Sequence, residues 1–250
     1  MKTLSLENRG ALVTGSTRGI GAAIADGLAE SGARVVRHGR ANTDKVPEPC
    51  LLCDLLEPDA SIGLLDRAFE ASPALDILVC NAGSFFDLPF LEMDRERWSK
   101  TLKLNVETPY FLIQEFARRL VAGQRGGSVV IIGSTNGIQA EEDSTAYDIS
   151  KGALAMMTKT LAVALAPHRI RVNCVAPGLI RTPLTAPWMD AQPAKVKHYE
   201  SNILLGRIGA GEDCAGACVF LCSGAASYIT GQTLYVDGGL TAVQIGKQAT

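Results

Sequence analysis

Within the stretch from Gly133 to Lys151 stand Ser134, Tyr147 and Lys151, which can orient an oxygen, exchange a proton and supply a cation. Tyr147 and Lys151 are four apart at the front of an apolar-periodic run (Ile149, Ala153, Leu154, Met157, Leu161, Leu165) closed by Pro167. That spacing places both on one face of one helix. A phenol titrates near about 10 and is a weak base at neutral pH, but an adjacent ammonium favours the phenolate. Ser134 follows the apolar run Ser128–Gly133, which reads as a buried strand. A hydroxyl at a strand's C-terminal end can enter a ligand crevice and hold a carbonyl or alcohol oxygen beside the phenol.

Such a trio needs elements that bring a reactant to it. Ala11-Leu-Val13 reads as a short strand running into Thr14-Gly-Ser-Thr-Arg-Gly-Ile-Gly21 and then a helical pattern (Ile20, Ala23, Ile24, Leu28). Strand, glycine loop and helix form a phosphate cradle: Gly15, Gly19 and Gly21 let the backbone turn and approach an anion, and the helix start offers free N–H groups. Thr17, Arg18 and Ile20 lie in the same loop. Ala33-Arg-Val-Val36 then gives a second strand, ending in Arg37-His-Gly-Arg40 with no acid before Asp44. An acid there would take a ribose 2′-hydroxyl, whereas arginine suits a 2′-phosphate, so Arg40 with Arg18 favours NADP(H) over NAD(H).

Further strands are expected at Leu51–Cys53 with Asp54 at its tip, Leu75–Cys80 before Asn81-Ala-Gly83, Ile170–Val175 and Thr233–Val236. Ala41 to Pro49 reads as a loop, Asp59 to Phe69 as a helix, and Trp98 to Leu120 as one long helix with Asn105 inside it and Pro109 bending or loosening it locally. Strands alternating with amphipathic helices predict one α/β domain over residues 1–250, a doubly wound parallel sheet with helices on both faces. Thr182 to about Gly206, with three prolines, Trp188 and Tyr199, reads as a substrate lid.

Composition narrows the alternatives. A net charge of -2 gives no support for nucleic-acid binding, and the N-terminus lacks an apolar signal core, so a cytoplasmic protein is expected. The uncharged stretch Cys214 to Val236 is broken by Ser223, Gly224, Gly231 and Gln232 and reads as helix, turn and strand, with no membrane span. Seven cysteines without a signal sequence read as reduced packing residues. Cys50-Leu-Leu-Cys53 has metal spacing but no second ligand pair, and no metal site is expected.

With these pieces placed, the chain resembles the classical short-chain dehydrogenases/reductases over essentially its whole length. The resemblance rests on Thr14-Gly-x-x-x-Gly-Ile-Gly21, Asp54, Asn81-Ala-Gly83, Asn105, Ser134 thirteen residues before Tyr147-x-x-x-Lys151, Pro177-Gly178 and Thr182. It implies a seven-stranded Rossmann sheet, a homotetramer or homodimer, and an oxidoreductase interconverting a ketone or aldehyde and a secondary alcohol. It further implies that Tyr147 is the general acid and base, that Lys151 lowers its pKa and binds the nicotinamide ribose, that Ser134 orients the substrate oxygen, and that Asn105 holds a water. Asp54 would lie near the adenine, Asn81, Ala82 and Gly83 near the ribose, and Ile180 and Thr182 near the carboxamide, with Leu55, Pro177 and Gly178 also binding the cofactor.

The substrate is left open among a small polar ketone, a sugar or polyol, and a 3-oxoacyl group. Phe85, Phe86, Gln139, Glu141, Glu142 and Trp188 are candidate pocket residues, and Glu141-Glu-Asp143 would repel a strongly anionic substrate unless those carboxylates face solvent. An extended-type epimerase or dehydratase and a non-catalytic cofactor sensor or scaffold remain as alternatives.

Overall fold

The computed structural model describes residues 4–40 and 46–242. Seven parallel strands form one sheet in the order β3-β2-β1-β4-β5-β6-β7: β1 (Gly10–Val13), β2 (Arg34–Gly39), β3 (Cys50–Leu52), β4 (Leu75–Cys80), β5 (Gly127–Ile132), β6 (Ile170–Pro177) and β7 (Thr233–Val236). The central strands are apolar without interruption because both faces of the sheet are covered. In β5, Val129 and Ile131 enter one core and Val130 and Ile132 the other, which is the period of two that a strand imposes. Helices α2 (Ala60–Ala71), α4 (Thr108–Ala122) and α5 (Thr145–Leu165) pack into the first core. Helices α1 (Gly19–Glu30) and α8 (Gly211–Cys222) pack into the second.

The chain moves outward from β1 to β3 and returns to β4 on the other side of β1, so the helices that follow β1 and β4 leave the strands' C-terminal ends on opposite faces of the sheet and open a crevice there. Cys214, Cys218 and Cys222 are fully buried along α8, and all seven cysteines are free thiols, as the packing reading requires. The stretch from Cys214 to Val236 resolves into α8, a turn and β7. Among the described residues one helical stretch, Thr145–His168, has the length and hydropathy of a membrane span. Here its Leu154, Met157 and Ala162 are core residues.

Two expectations need correction. The single long helix over Trp98 to Leu120 is α3 (Arg95–Leu102), a π-helical turn (Lys103–Glu107) and α4. Asp94 caps α3 by accepting the Arg97 N–H. Pro109 loosens the helix, as one of the two expected effects, rather than bending its interior. It sits in the first turn of α4 and lacks the N–H that an α-helix would direct at the Asn105 carbonyl, and the ladder widens just before it. The segment read as a lid is also more regular than its weak periodicity predicts, with α6 (Ala186–Ala191) and α7 (Pro193–Asn202) each opened by a proline in its first turn. Residues 46–49 are non-helical, in line with the predicted loop, while 41–45 and the tail from Val243 lie outside the described residues.

Candidate active site

The crevice between β1 and β4 is built by backbone close approach. Gly15 and Gly19 have φ of 65° and 59°, the left-handed region where a side chain is strained. At Gly21 a Cβ would lie 2.4 Å from both Asn81 Nδ2 and the Gly15 carbonyl oxygen. Thr14 Oγ1 accepts the Asn81 and Ala82 N–H groups at 3.0 Å each, and Asn81 Nδ2 donates to the carbonyls of Thr14 and Gly15 at 2.9 and 3.0 Å. The Asn81 side-chain N–H groups therefore brace the glycine loop. α1 starts at Gly19 with no side-chain cap and no acid in its first turn, leaving N–H groups for an anion. These features fit a dinucleotide pyrophosphate.

At the end of β2 the arginines divide. Arg37 is buried and its Nη2 donates to Asp26 Oδ1 at 2.6 Å, so it is not available to a ligand. Arg18 and Arg40 are exposed and have no carboxylate partner among the described residues. His38, between them, was not read as a functional residue from sequence. The Gly15 N–H donates to its Nδ1 at 3.1 Å, which assigns the ring proton to Nε2, 3.2 Å from the Cys53 carbonyl. Burial pushes this imidazole down to about 4. A neutral His38 thus ties the glycine loop to the end of β3. Asp54 Oδ1 accepts the Leu56 N–H in a local turn, and the Leu55 side chain belongs to the core, so only its backbone is presented toward the crevice end of the sheet.

Ser134 follows β5 and opens a short 3₁₀ turn (Thr135–Gly137), its Oγ accepting the Asn136 N–H at 3.1 Å and donating to Asn136 Oδ1 at 3.2 Å. Asn136 Nδ2 in turn donates to Asp148 Oδ1 at 2.7 Å. The buried Asn105 side chain accepts the Ser84 N–H and donates to the Ser84 carbonyl and to Ser150 Oγ, at 3.0, 2.8 and 3.0 Å. The π-turn thus aims Asn105 at the loop behind β4 and at α5 beside Lys151. Lys151 Nζ donates to the Ile132 carbonyl at 3.1 Å and lies 5.3 Å from the Tyr147 ring centroid.

The expected acidification of Tyr147 by Lys151 does not hold in the chain by itself. Burial pushes the phenol up to about 12; the Ser134 hydroxyl alongside it opposes that rise, and Asp148, Glu141 and Asp87 add to it. Lys151 is itself lowered to about 8 by burial, and its Nζ is engaged with a carbonyl. Four-residue spacing establishes adjacency along a helix face, but desolvation decides the titration.

Pro177 is buried at the end of β6, and a Cβ on Gly178 would lie 2.8 Å from Asp237. Ile180 is buried and bridges to Gly209. Thr182 Oγ1 accepts the Leu184 and Thr185 N–H groups, a local cap at the lid's start. The segment of α6 and α7 also reaches the Ser134–Tyr147 loop: the Tyr199 hydroxyl donates to Glu141 Oε1 at 2.7 Å, and Lys195 Nζ lies 4.0 Å from the same oxygen. Glu141, Glu142 and Asp143 are exposed. Phe85 meets Tyr147 edge to face at 6.1 Å, while Phe86 lies under Lys100. Gln139 is exposed and Trp188 packs beside Tyr199.

A family model described as enoyl-(acyl carrier protein) reductase matches residues 15–241. The chain is 40% identical over 248 residues to dehydrogenase/reductase SDR family member 4 of Homo sapiens, covering 94% of this chain and 88% of that one. It is 36% identical to a 3-oxoacyl-[acyl-carrier-protein] reductase of Aquifex aeolicus, covering 95% of this chain and 99% of that one. Its fold superposes with a TM-score of 0.89 on a gluconate 5-dehydrogenase from Burkholderia cenocepacia in complex with NADP and tartrate, at 32% identity, covering 96% and 98% of the two chains. A match across the whole crevice, at these identities, means that this chain belongs to the short-chain dehydrogenase/reductase family and is an oxidoreductase.

Proposed function

We propose that the chain reduces a ketone or aldehyde to an alcohol, reversibly, with NADP(H) as the preferred coenzyme and Tyr147 as the proton donor. The observation that carries this reading is the meeting of Ser134, Tyr147 and Lys151 at the C-terminal end of β5, beside a crevice whose glycine loop fits a pyrophosphate. The coenzyme, when bound, supplies or accepts the hydride. Ser134 orients the substrate oxygen, and the phenol gives that oxygen its proton as the alcohol forms. A phenol held at about 12 is fully protonated at neutral pH and so is poised for reduction. Oxidation needs the phenolate and is expected to quicken as pH rises.

Lys151 has N–H groups left beyond its bond to Ile132 with which to hold the nicotinamide ribose. Asn105 fixes the loop behind β4 against α5. Gly15, Thr17, Arg18, Gly19, Ile20 and Gly21 cradle the pyrophosphate, and Arg40 with Arg18 takes the 2′-phosphate. Asp54 and the Leu55 backbone serve the adenine end, Ala82 and Gly83 the ribose, and Pro177, Gly178, Ile180 and Thr182 the carboxamide end. Glu141 is engaged by Tyr199 and Lys195, so an anionic sugar acid or a 3-oxoacyl thioester is as compatible with the site as a neutral polyol.

Exposed Tyr110 and Phe111 on α4, with Ile149, Met156 and Val163 on α5, support a homotetramer or homodimer. A panel of 3-oxoacyl esters, sugar lactones, keto-acids and polyols, scored by nicotinamide absorbance with NADPH and NADH, tests the reading. Turnover of at least one carbonyl with NADPH is expected, and NADPH is expected to bind about tenfold tighter than NADH in a fluorescence titration. No turnover across the panel together with equal affinities would overturn it.

A further inference from the structure

α5 begins without a cap of its own, since the Ser144 side chain makes no capping hydrogen bond. The first-turn N–H groups of a helix need acceptors, and an anion there is favoured by the helix dipole. The acceptor comes from far along the chain. Asp87 Oδ1, on the loop behind β4, accepts the Ala146 N–H at 2.8 Å and the Tyr147 N–H at 3.2 Å. Asp87 Oδ2 is buried and has no hydrogen-bond partner among the described residues. A carboxylate with one oxygen on two helix N–H groups and the other unpartnered is held for its position and charge. The same loop carries Phe85, whose ring edge meets the Tyr147 ring, and Ser84, whose backbone is clasped by Asn105.

We propose that Asp87 is a positioning residue for hydride transfer: from the loop behind β4 its carboxylate fixes the first turn of α5, and with it the Tyr147 phenol, relative to the coenzyme crevice. This rests on the reading of Tyr147 as the proton donor. The consequence is twofold. Mechanically, the loop that follows the crevice wall and the helix that carries the phenol move as one body. Electrostatically, the groups facing the phenol are Asp148 on α5, Glu141 on the preceding loop, Asp87 across from both, the Lys151 ammonium and the Ser134 hydroxyl. Asp148 already receives Asn136 Nδ2 and the Glu141 N–H, and Glu141 receives the Tyr199 hydroxyl. Asp87 adds to the rise of the phenol after Asp148 and Glu141, and it does so from a buried carboxylate whose Oδ2 has no hydrogen-bond partner among the described residues.

The experiment compares Asp87→Asn and Asp87→Ala with the parent chain. Hydrogen exchange at Ala146 and Tyr147 reads the contact without any substrate. Asp87→Ala is expected to speed exchange about tenfold, while Asp87→Asn, which keeps the acceptor oxygen, stays within about threefold of the parent. With the most rapidly reduced carbonyl of the panel and NADPH, Asp87→Ala is expected to lose on the order of tenfold or more in kcat with the KM for NADPH within about twofold. Removing the charge in Asp87→Asn favours the phenolate, so the rising limb of alcohol oxidation against pH moves to lower pH by about half a unit or more.

A purely structural role would lower stability and leave that limb in place. Exchange and the pH limb both unchanged in the two variants would overturn the proposal. Tyr147→Phe is run alongside: loss of its turnover with unaltered Asp87 variants defeats the Asp87 proposal alone, whereas retained turnover in Tyr147→Phe defeats the reading of the site beneath it. Should Asp87→Ala fail to fold, Asp87→Asn decides the matter by its pH limb.

Discussion

The coenzyme side and the substrate side of the crevice are built by different physics. Around β1, β2 and β4 the contacts are between backbones and short side chains: Thr14 and Asn81 stitch two loops together, Gly21 admits no side chain, and His38 ties the Gly15 N–H to the Cys53 carbonyl. Around Ser134 and Tyr147 the contacts are made by carboxylate side chains with amide, hydroxyl and backbone donors: Asn136 with Asp148, the backbone at the start of α5 with Asp87, and Tyr199 with Glu141. The first construction fixes a shape and tolerates little change. The second sets titration and access, and single side chains can retune it.

The comparison is broken most severely if the coenzyme side proves soft. His38 is neutral in the fold and lowered from 6.5 to about 4 by burial. Below pH about 6.5 the unfolded chain takes up a proton that the folded chain refuses until about 4, so stability falls as pH drops through that window. The loss approaches on the order of 3 kcal/mol. His38→Gln is expected to flatten that acid limb in thermal melts recorded against pH; an unaltered limb would mean that His38 does not clamp the loop. Gly21→Ala is expected to cost about a hundredfold in NADPH affinity, read by fluorescence titration, because its methyl group meets Asn81 and the Gly15 carbonyl.

Arg40→Ala is the next smaller step, with NADPH affinity falling about tenfold and NADH affinity held within about twofold. Equal losses for both coenzymes would remove arginine from 2′-phosphate recognition. Tyr199→Phe sharpens the comparison from the other side. It removes one hydrogen bond to a partly exposed carboxylate, so the KM of a turned-over carbonyl is expected to move about two- to threefold while NADPH affinity stays unchanged. A change confined to NADPH affinity would show that the lid serves the coenzyme instead.

How much of this was legible in the sequence follows the same division. Glycine spacing, strand alternation and the Pro109 interruption are local, and they yielded the sheet, the cradle and an irregularity near Asn105. The π-turn itself was not foreseen, because a missing N–H says that the ladder breaks and not which way. The choice of Arg40 over Arg37 for the 2′-phosphate is one the sequence could make but not explain, and the fold supplies the reason by turning Arg37 toward Asp26. Asp87 gave no signal, since its partners stand 59 and 60 residues away. The titration of Tyr147 divides in the same way: the helix repeat shows Lys151 nearby and the chain places Asp148 next to it, while the burial that dominates the rise and the approach of Asp87 come from the fold.

The account turns on Tyr147 giving the proton to a substrate held against a coenzyme that the other half of the molecule moors. Tyr147→Phe, assayed with NADPH and the best carbonyl of the panel, measures this directly. NADPH affinity is expected to stay within about twofold of the parent while turnover falls at least about a hundredfold. Turnover close to the parent's, with the coenzyme still bound, would contradict it.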